Sequence, residues 1–185
     1  MRIITGKVRG LKLTVPKDLA VRPTTDRVKE SLFNIIGTKI IGAKVLDLFA
    51  GTGNLGLEAW SRGATSSTFI DTNSESLRLV TSNIAKARAE AATTIIKGNA
   101  EKIIATLHQQ GHCFDFIFCD PPYNQGWLVK IINKLTNEDI LVAGGYLVVE
   151  HSQHETVPLL PDTLELVRTE KYGETLISFL RRREE

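Results

Sequence analysis

The most informative segment of the chain is Val45-Leu46-Asp47-Leu48-Phe49-Ala50-Gly51-Thr52-Gly53-Asn54-Leu55-Gly56. An apolar run over 44–49 predicts a short buried strand, and the glycines after it predict a tight turn into a helix over 55–62. The turn matches G-x-G-x-x-G, and Asp71 follows Gly51 by twenty residues. This combination predicts a cofactor site where the first strand of an α/β sheet ends.

The rest of the chain continues the alternation of strand and helix. The further predicted elements are strands at 68–71, 93–97, 115–119 and 146–150, and helices at 74–89, 101–109 and 127–135. A closing pair of strands, 164–169 and 175–180, has no helix between its members and therefore predicts a hairpin. The pattern predicts an α/β fold of the open, doubly wound kind, with a mostly parallel seven-stranded sheet and an antiparallel edge strand.

The segment before this core predicts a small β-hairpin followed by a helix. Residues 1–15 alternate around Gly6 and Gly10, which predicts short strands joined by glycine turns. A helix is predicted to start near Thr25 and to end at Gly37. We predict one domain over 1–185, in which 1–22 form a basic hairpin extension and 23–185 the helix and the core.

Charge is unevenly distributed, although the net charge is only +2. Residues 1–30 carry eight basic and three acidic groups, a net charge of +5, which leaves −3 for the remainder. Such a segment is typical of docking on a polyanion and equally of a solvated surface hairpin, and charge alone leaves both open. The basic groups predicted to contact RNA are Arg2, Lys7, Arg9, Lys12 and Arg22.

Membrane, metal and disulfide roles are not predicted. The longest apolar runs have only the length of a strand, and residues 1–7 lack the apolar region of a signal peptide, so we expect a cytoplasmic protein. Cys113 and Cys119 are predicted to be reduced thiols without zinc-site spacing. His151 and His154 are predicted to lie in a surface loop.

Asp47 distinguishes between two cofactors that glycine turns of this kind bind. A dinucleotide would place a pyrophosphate at the helix N-terminus, where a neighbouring carboxylate is repulsive. S-adenosylmethionine has no phosphate and carries an ammonium and a sulfonium, which a carboxylate attracts. Asp47 therefore favours S-adenosylmethionine, with Asp71 accepting its ribose hydroxyls and Asn99-Ala100 meeting its adenine. Alternatively, Asp71 and Asn99 are helix caps.

Asp120-Pro121-Pro122-Tyr123 follows the fourth predicted strand directly. The prolines fix the backbone and remove two donors, so the carbonyl groups before them can accept hydrogen bonds. The Asp120 carboxylate and the Pro121 carbonyl could each accept one N–H of the exocyclic amine of guanine or adenine. Tyr123 could stack on a base that has swung out of its helix or loop. The alternative is a plain turn that ends a strand.

The sequence resembles a known family in several blocks. The block Arg22-Pro23-Thr24-Thr25-Asp26-Arg27-Val28-Lys29-Glu30-Ser31-Leu32-Phe33-Asn34, together with the two motifs above and Tyr172-Gly173-Glu174-Thr175, is similar to the RsmD family. The resemblance implies a bacterial class I methyltransferase that modifies guanine N2 in small-subunit ribosomal RNA. It also implies a donor site lined by Asp47, Gly51, Gly53 and Asp71, approached by Thr25. Asn73 and Asn99 depart from the family pattern, which has acidic residues there.

The partners expected from these observations are ribosomal RNA or the small ribosomal subunit, with a monomeric enzyme. The nearest alternative is a DNA adenine-N6 methyltransferase, which can use the same Asp-Pro-Pro-Tyr chemistry but usually has an added recognition element. A NAD-binding oxidoreductase is disfavoured by Asp47. A catalytically silent RNA-binding relative is also possible in principle, but every residue that the chemistry needs is present.

Overall fold

The computed structural model describes residues 1–16 and 26–184. Its helices are α1 (Asp26–Ile36), α2 (Asn54–Ser61), α3 (Ser74–Ala87), α4 (Ala100–Gln109) and α5 (Trp127–Asn137). Its strands are β1 (Lys44–Asp47), β2 (Ser66–Asp71), β3 (Thr93–Lys97), β4 (Phe114–Cys119), β5 (Leu141–Ser152), β6 (Leu164–Tyr172) and β7 (Thr175–Arg182). Short 3-10 turns lie at Gly37–Ile40 and Glu90–Ala92.

The strands form one sheet in the order β3-β2-β1-β4-β5-β7-β6. Strands β1 to β5 are parallel, and β7 runs antiparallel to both of its neighbours. The predicted fold class is thus confirmed, with one refinement: β7 lies second from the edge, and β6 is the edge strand. The order in which strands are added to the sheet reverses between β1 and β4, because β2 and β3 lie on one side of β1 and β4 and β5 on the other. Ligands of open α/β sheets bind at such a switch point.

Side chains that alternate along the central strands separate the core into two layers. Leu46 and Ile117 pack with α4 and α5 on one face, whereas Val45 and Phe118 pack with α1 and α2 on the other. A third cluster joins the N-terminal segment to α2, α3 and Phe69. Both faces of the sheet are therefore covered, as the apolar parallel strands require.

Gly56 shows how closely α2 packs on the sheet. A Cβ atom at this position would lie 2.3 Å from the ring of Phe69 in β2. The third glycine of the turn is therefore needed for contact between helix and strand, and this contact brings the start of α2 over the end of β1.

Three details differ from the sequence predictions. Residues 1–13 fold back on themselves as expected, but only an isolated bridge between Arg2 and Lys12 forms instead of regular strands. Strand β5 starts at Leu141 and runs to Ser152, because Tyr146–Ser152 pair with β7. His151 is therefore not in a surface loop: it is buried, and its Nε2 lies 2.9 Å from the Ser178 hydroxyl.

Candidate active site

A cavity of about 810 Å³ lies along the carboxyl ends of β1 to β4. It has the size of a small-molecule site. The predicted site residues that line it are Asp47, Gly51, Asp71, Asn99, Ala100, Asp120, Pro121, Pro122 and Tyr123. Gly53 lies in the same turn without lining the cavity, and Thr25 and Arg22 lie outside the described residues. The predicted cofactor site and the Asp120–Tyr123 loop thus share one cavity.

Asp47 is a buried carboxyl at the end of β1. Its Oδ2 accepts a hydrogen bond of 3.0 Å from the backbone N–H of Gly56. Burial raises the pKa of Asp47 to about 7, and the nearby carboxylate of Asp71 adds to the rise. A carboxyl held at such a pKa is readily ionised by a cation that binds beside it.

Asp71 joins the glycine turn to the end of β2. Its Oδ2 accepts from the backbone N–H of Gly51 at 2.9 Å, and its Oδ1 accepts from the N–H of Asn73 at 2.8 Å. The helix after it is capped by Asn73, whose side chain accepts from two N–H groups of its first turn. Asp71 is therefore not the helix cap, and its carboxylate holds the turn beside the cavity.

Asn99, by contrast, is a helix cap. Its Oδ1 accepts from the N–H groups of Glu101 and Lys102 at 3.0 and 3.3 Å, at the start of α4. The cavity is also lined by Ala100 and Gly98 next to it. An adenine contact at this end of the cavity remains a prediction. Because the Asn99 oxygen serves the cap, the groups that could make this contact are the Asn99 amide nitrogen and the neighbouring backbone.

Electrostatics set the kind of ligand that the cavity can hold. Its lining contains the four carboxyl groups of Asp47, Asp71, Asp120 and Glu150, and no lysine or arginine among the residues that the structure describes. A pyrophosphate would meet repulsion here, whereas a ligand with an ammonium and a sulfonium would be attracted. The residues therefore fit S-adenosylmethionine and do not fit a dinucleotide.

The Asp120–Tyr123 loop connects β4 to α5 at the opposite end of the cavity. Pro121 is buried, while Pro122 is exposed and Tyr123 is half-buried. Asn124, which follows, has a φ of 57°, a left-handed conformation that turns the chain sharply. Trp127 at the start of α5 packs edge-on against Phe49 of the first turn. These contacts hold the loop across the end of β4.

Tyr123 is held by two residues that the sequence reasoning did not select. Its hydroxyl donates to Glu150 Oε1 at 2.6 Å and lies 3.2 Å from the hydroxyl of Thr175. Burial and the Glu150 carboxylate raise the pKa of Tyr123 well above its usual value. The sequence offered one signal for Glu150: it is an acidic residue that follows the apolar residues of β5. Since β5 pairs with β4, this position lies next to the loop that follows β4.

The basic N-terminal segment borders the same cavity. Met1, Val15 and Pro16 belong to the cavity lining. The side chains predicted to contact RNA that the structure describes, those of Arg2, Lys7, Arg9 and Lys12, are all exposed. This segment is fastened to α2, since Glu58 accepts from the N–H groups of Ile4 and Thr5 at 2.8 and 3.1 Å. The segment thus has a fixed place on the fold: its two ends line the cavity, and the turn that carries Lys7 is bonded to Ser61, the last residue of α2.

The described ranges, 1–16 and 26–184, offer neither a membrane-spanning helix nor a cluster of metal-binding side chains. Within them, no helix has both the length and the apolar character to cross a membrane. No group of three or more histidine, cysteine or acidic side chains within those residues could hold a metal ion.

A family model described as conserved hypothetical protein 95 matches residues 1–181. Ribosomal RNA small subunit methyltransferase D of Escherichia coli K12 is 37% identical over 174 residues, which cover 94% of this chain and 86% of that protein. The chain belongs to the RsmD family. The resemblance seen in its sequence motifs is thereby confirmed.

Solved structures resemble the whole chain or most of it. "Putative methyltransferase yhhF" from Escherichia coli superposes with a TM-score of 0.89 at 36% identity, covering 100% of this chain and 99% of that one. SMU.776, a methyltransferase complexed with SAH, has a TM-score of 0.70 at 16% identity, covering 84% of this chain and 48% of that one. The latter likeness concerns the fold alone.

Since Tyr123 is predicted to stack on a substrate base, its replacement by alanine is expected to lower kcat for methyl transfer by about tenfold to a hundredfold. Donor affinity is expected to change by less than about threefold, because Tyr123 lies at the β4 end of the cavity. Single-turnover rates and calorimetric binding would measure the two effects separately. Tyr123→Phe keeps the ring and loses the bond to Glu150, so it serves as the matched control. A collapse of donor affinity in Tyr123→Ala would contradict this role.

Proposed function

We propose that this chain transfers a methyl group from S-adenosylmethionine to the exocyclic N2 amine of a guanine in small-subunit ribosomal RNA. The observation that carries the proposal is the single cavity in which an acidic donor site adjoins Asp120-Pro121-Pro122-Tyr123. Its relative in Escherichia coli is named for the methylation of small-subunit ribosomal RNA, which supports this substrate class.

The bound cofactor supplies an electrophilic methyl group on a sulfonium and departs as a neutral thioether. The protein's task is to present a weak nucleophile, since the lone pair of a guanine amine is delocalised into the ring. In our proposal, the Asp120 carboxylate and the Pro121 carbonyl each accept one N–H, which lets the nitrogen become pyramidal. Asp120 then takes the surplus proton as the N–C bond forms.

Base flipping completes the proposal. An amine inside a duplex cannot reach a cavity at the end of a sheet, so the guanine must leave its stack. Tyr123 offers its ring to the flipped base, and the bond from its hydroxyl to Glu150 keeps that ring in place. RNA docking beside the cavity is assigned to the exposed basic side chains of residues 1–16.

The test is a tritiated-methyl transfer assay followed by mass spectrometry of the labelled nucleoside. Small ribosomal subunits and ribosomal RNA from cells lacking the modification are offered alongside duplex DNA. We expect N2-methylguanosine from the ribosomal substrates alone. N6-methyladenine in DNA would overturn the substrate and retain the loop chemistry, whereas absence of label with the donor bound would overturn the proposed activity.

Reversing the charge of Arg9 tests whether the basic N-terminal segment binds RNA. Arg9→Glu should lower RNA affinity by about threefold to tenfold at low salt and reduce the slope of log K against log salt by about one. Filter binding across a salt series measures both quantities. Lys102→Glu is the control, because Lys102 is exposed on α4, which covers the other face of the sheet. Equal losses in the two variants would remove the N-terminal segment from the interface.

A further inference from the structure

Lys29 of α1 is a fully buried lysine with three acceptors, one in the N-terminal segment and two in α2. Its Nζ donates to the carbonyl of Arg2 at 2.6 Å and to Oδ1 of Asn54 at 2.7 Å. It also lies 3.2 Å from a carboxylate oxygen of Glu58. An ammonium has three N–H donors and no acceptor, so these contacts use its full capacity. Lys29 thereby ties the N-terminal segment to the start of α2.

This contact fixes which way the Asn54 amide faces. An ammonium can only donate, so it must meet the amide oxygen of Asn54 rather than its nitrogen. The orientation of this amide is therefore decided by chemistry. Its nitrogen makes no hydrogen bond to the described residues, and among those residues no buried side-chain nitrogen or oxygen lacks a partner. The NH2 group is therefore accessible, and Asn54 lines the cavity.

The order of the strands places Asn54 at one end of the cofactor. The predicted adenine and ribose contacts lie at the ends of β3 and β2, and the methyl group must reach Asp120 after β4. The methionine end then lies over β1, between these positions. Asn54 directly follows the glycine turn after β1, and it lines the same cavity as the buried carboxyl of Asp47.

The methionine end of the cofactor carries an ammonium and a carboxylate, which need groups of different kinds. Asp47 suits the ammonium. The carboxylate needs a donor, and the described lining offers no lysine or arginine for it. We propose that the amide nitrogen of Asn54 binds the α-carboxylate of S-adenosylmethionine and that Lys29 is the positioning residue that orients this amide. The proposal concerns cofactor binding and is independent of which nucleobase is methylated.

The decisive measurement compares two ligands that differ only in this carboxylate. Calorimetry would give the Kd of S-adenosylmethionine and of decarboxylated S-adenosylmethionine, which keeps the amine and the sulfonium. For Asn54→Ala we expect the affinity for the complete cofactor to fall by about tenfold or more, the range of a hydrogen bond to a charged group. The affinity for the decarboxylated ligand is expected to stay within about twofold.

Asn99→Ala is the matched control, because Asn99 lies at the other end of the cavity, where the two ligands are identical. It should weaken both ligands by the same factor. An equal loss of both ligands in Asn54→Ala would overturn the carboxylate assignment. This result would leave the methyl-transfer proposal standing, since that proposal is tested by the labelled nucleoside.

Lys29→Met tests the positioning role through the ratio of the affinity for S-adenosylmethionine to the affinity for the decarboxylated ligand. If Lys29 acts through Asn54, the ratio falls in Lys29→Met and falls no further in the double variant with Asn54→Ala. A general loss of structure would weaken both ligands and leave the ratio unchanged, which would overturn the role of Lys29. Circular dichroism selects folded protein for this comparison. Asn54→Asp is a second test of the amide donor that does not depend on the folding of Lys29→Met: its second oxygen would face the cofactor's carboxylate, so the ratio should fall below that of Asn54→Ala.

Discussion

Methyl transfer by an Asp120→Ala variant is expected to be about a thousandfold slower than transfer by the unaltered protein, with the cofactor still bound. The magnitude is that of removing one preorganised group from a site where charge develops. Asp120 follows β4 directly and lines the cavity, so the loss falls on the chemical step. Single-turnover kinetics at saturating cofactor would measure it.

Asp120→Asn separates the two services that this carboxylate is proposed to perform. The amide oxygen can still accept one N–H of the base, but it takes up no proton. We therefore expect an intermediate loss of about tenfold to a hundredfold, which narrows as the pH rises and solvent takes the proton more readily. Activity near that of the unaltered protein in Asp120→Ala would refute the mechanism.

An Asp47→Asn variant is expected to lose cofactor affinity and gain stability. Removing the charge that faces the cofactor's ammonium should raise Kd by about a hundredfold, as for a buried charge pair that loses one member. Burial raises the pKa of Asp47 from 3.8 to about 7 in the folded chain, so the unfolded chain releases this proton more readily. The unliganded protein therefore loses stability as the pH rises from about 4 through 7.

The size of the stability gain follows from the same shift. The raised pKa corresponds to a penalty on the order of 4 kcal/mol above pH 7, from which about 2 kcal/mol is subtracted because the amide satisfies the neighbouring N–H groups less well. A net gain of about 2 kcal/mol would raise Tm by roughly 5 °C at pH 8. Thermal unfolding at pH 5 and 8 tests it, with the exposed Asp162→Asn as the control. Equal Tm changes at both pH values would contradict the assignment.

Cofactor binding supplies the complementary pH effect. In the unaltered protein, affinity for S-adenosylmethionine should rise as the pH increases through about 7, because ionised Asp47 then faces the ammonium. Asp47→Asn should remove this dependence. In our proposal, the carboxyl that destabilises the empty fold is therefore the same group that attracts the cofactor.

Local sequence was sufficient to predict the fold and much of the site. Asp47, Asp71 and Asp120 each end or follow an apolar strand, and parallel strands bring such residues to one edge of a sheet. Their placement beside one cavity therefore needed no knowledge of the packing. The Asn99 interpretation was less complete, because both an adenine contact and a helix cap suit an asparagine there, and its oxygen serves the cap.

Long-range packing decided what the sequence could not show. Lys29 shares the apolar stripe of α1 with Leu32, Phe33 and Ile36, and a lysine in such a stripe is usually interpreted as a solvated side chain. Its burial is explained by the three groups that meet its ammonium, those of Arg2, Asn54 and Glu58. His151 was assigned to a surface because the pairing of β5 with β7 beyond Glu150 depends on residues far away in the chain.

The register shift between Leu166 and Arg168 in β6 has a consequence for how copies of the protein meet in solution. Strand β6 is the outer strand of the sheet, and Leu166 and Val167 on it are about half exposed. A straight apolar edge of this kind would offer its free backbone groups to another molecule. The register shift interrupts the regular pairing beside that edge, and the charged residues Glu165, Arg168, Glu170 and Lys171 flank the two apolar side chains. Both features oppose edge-to-edge aggregation, so β6 can stay uncovered without becoming adhesive.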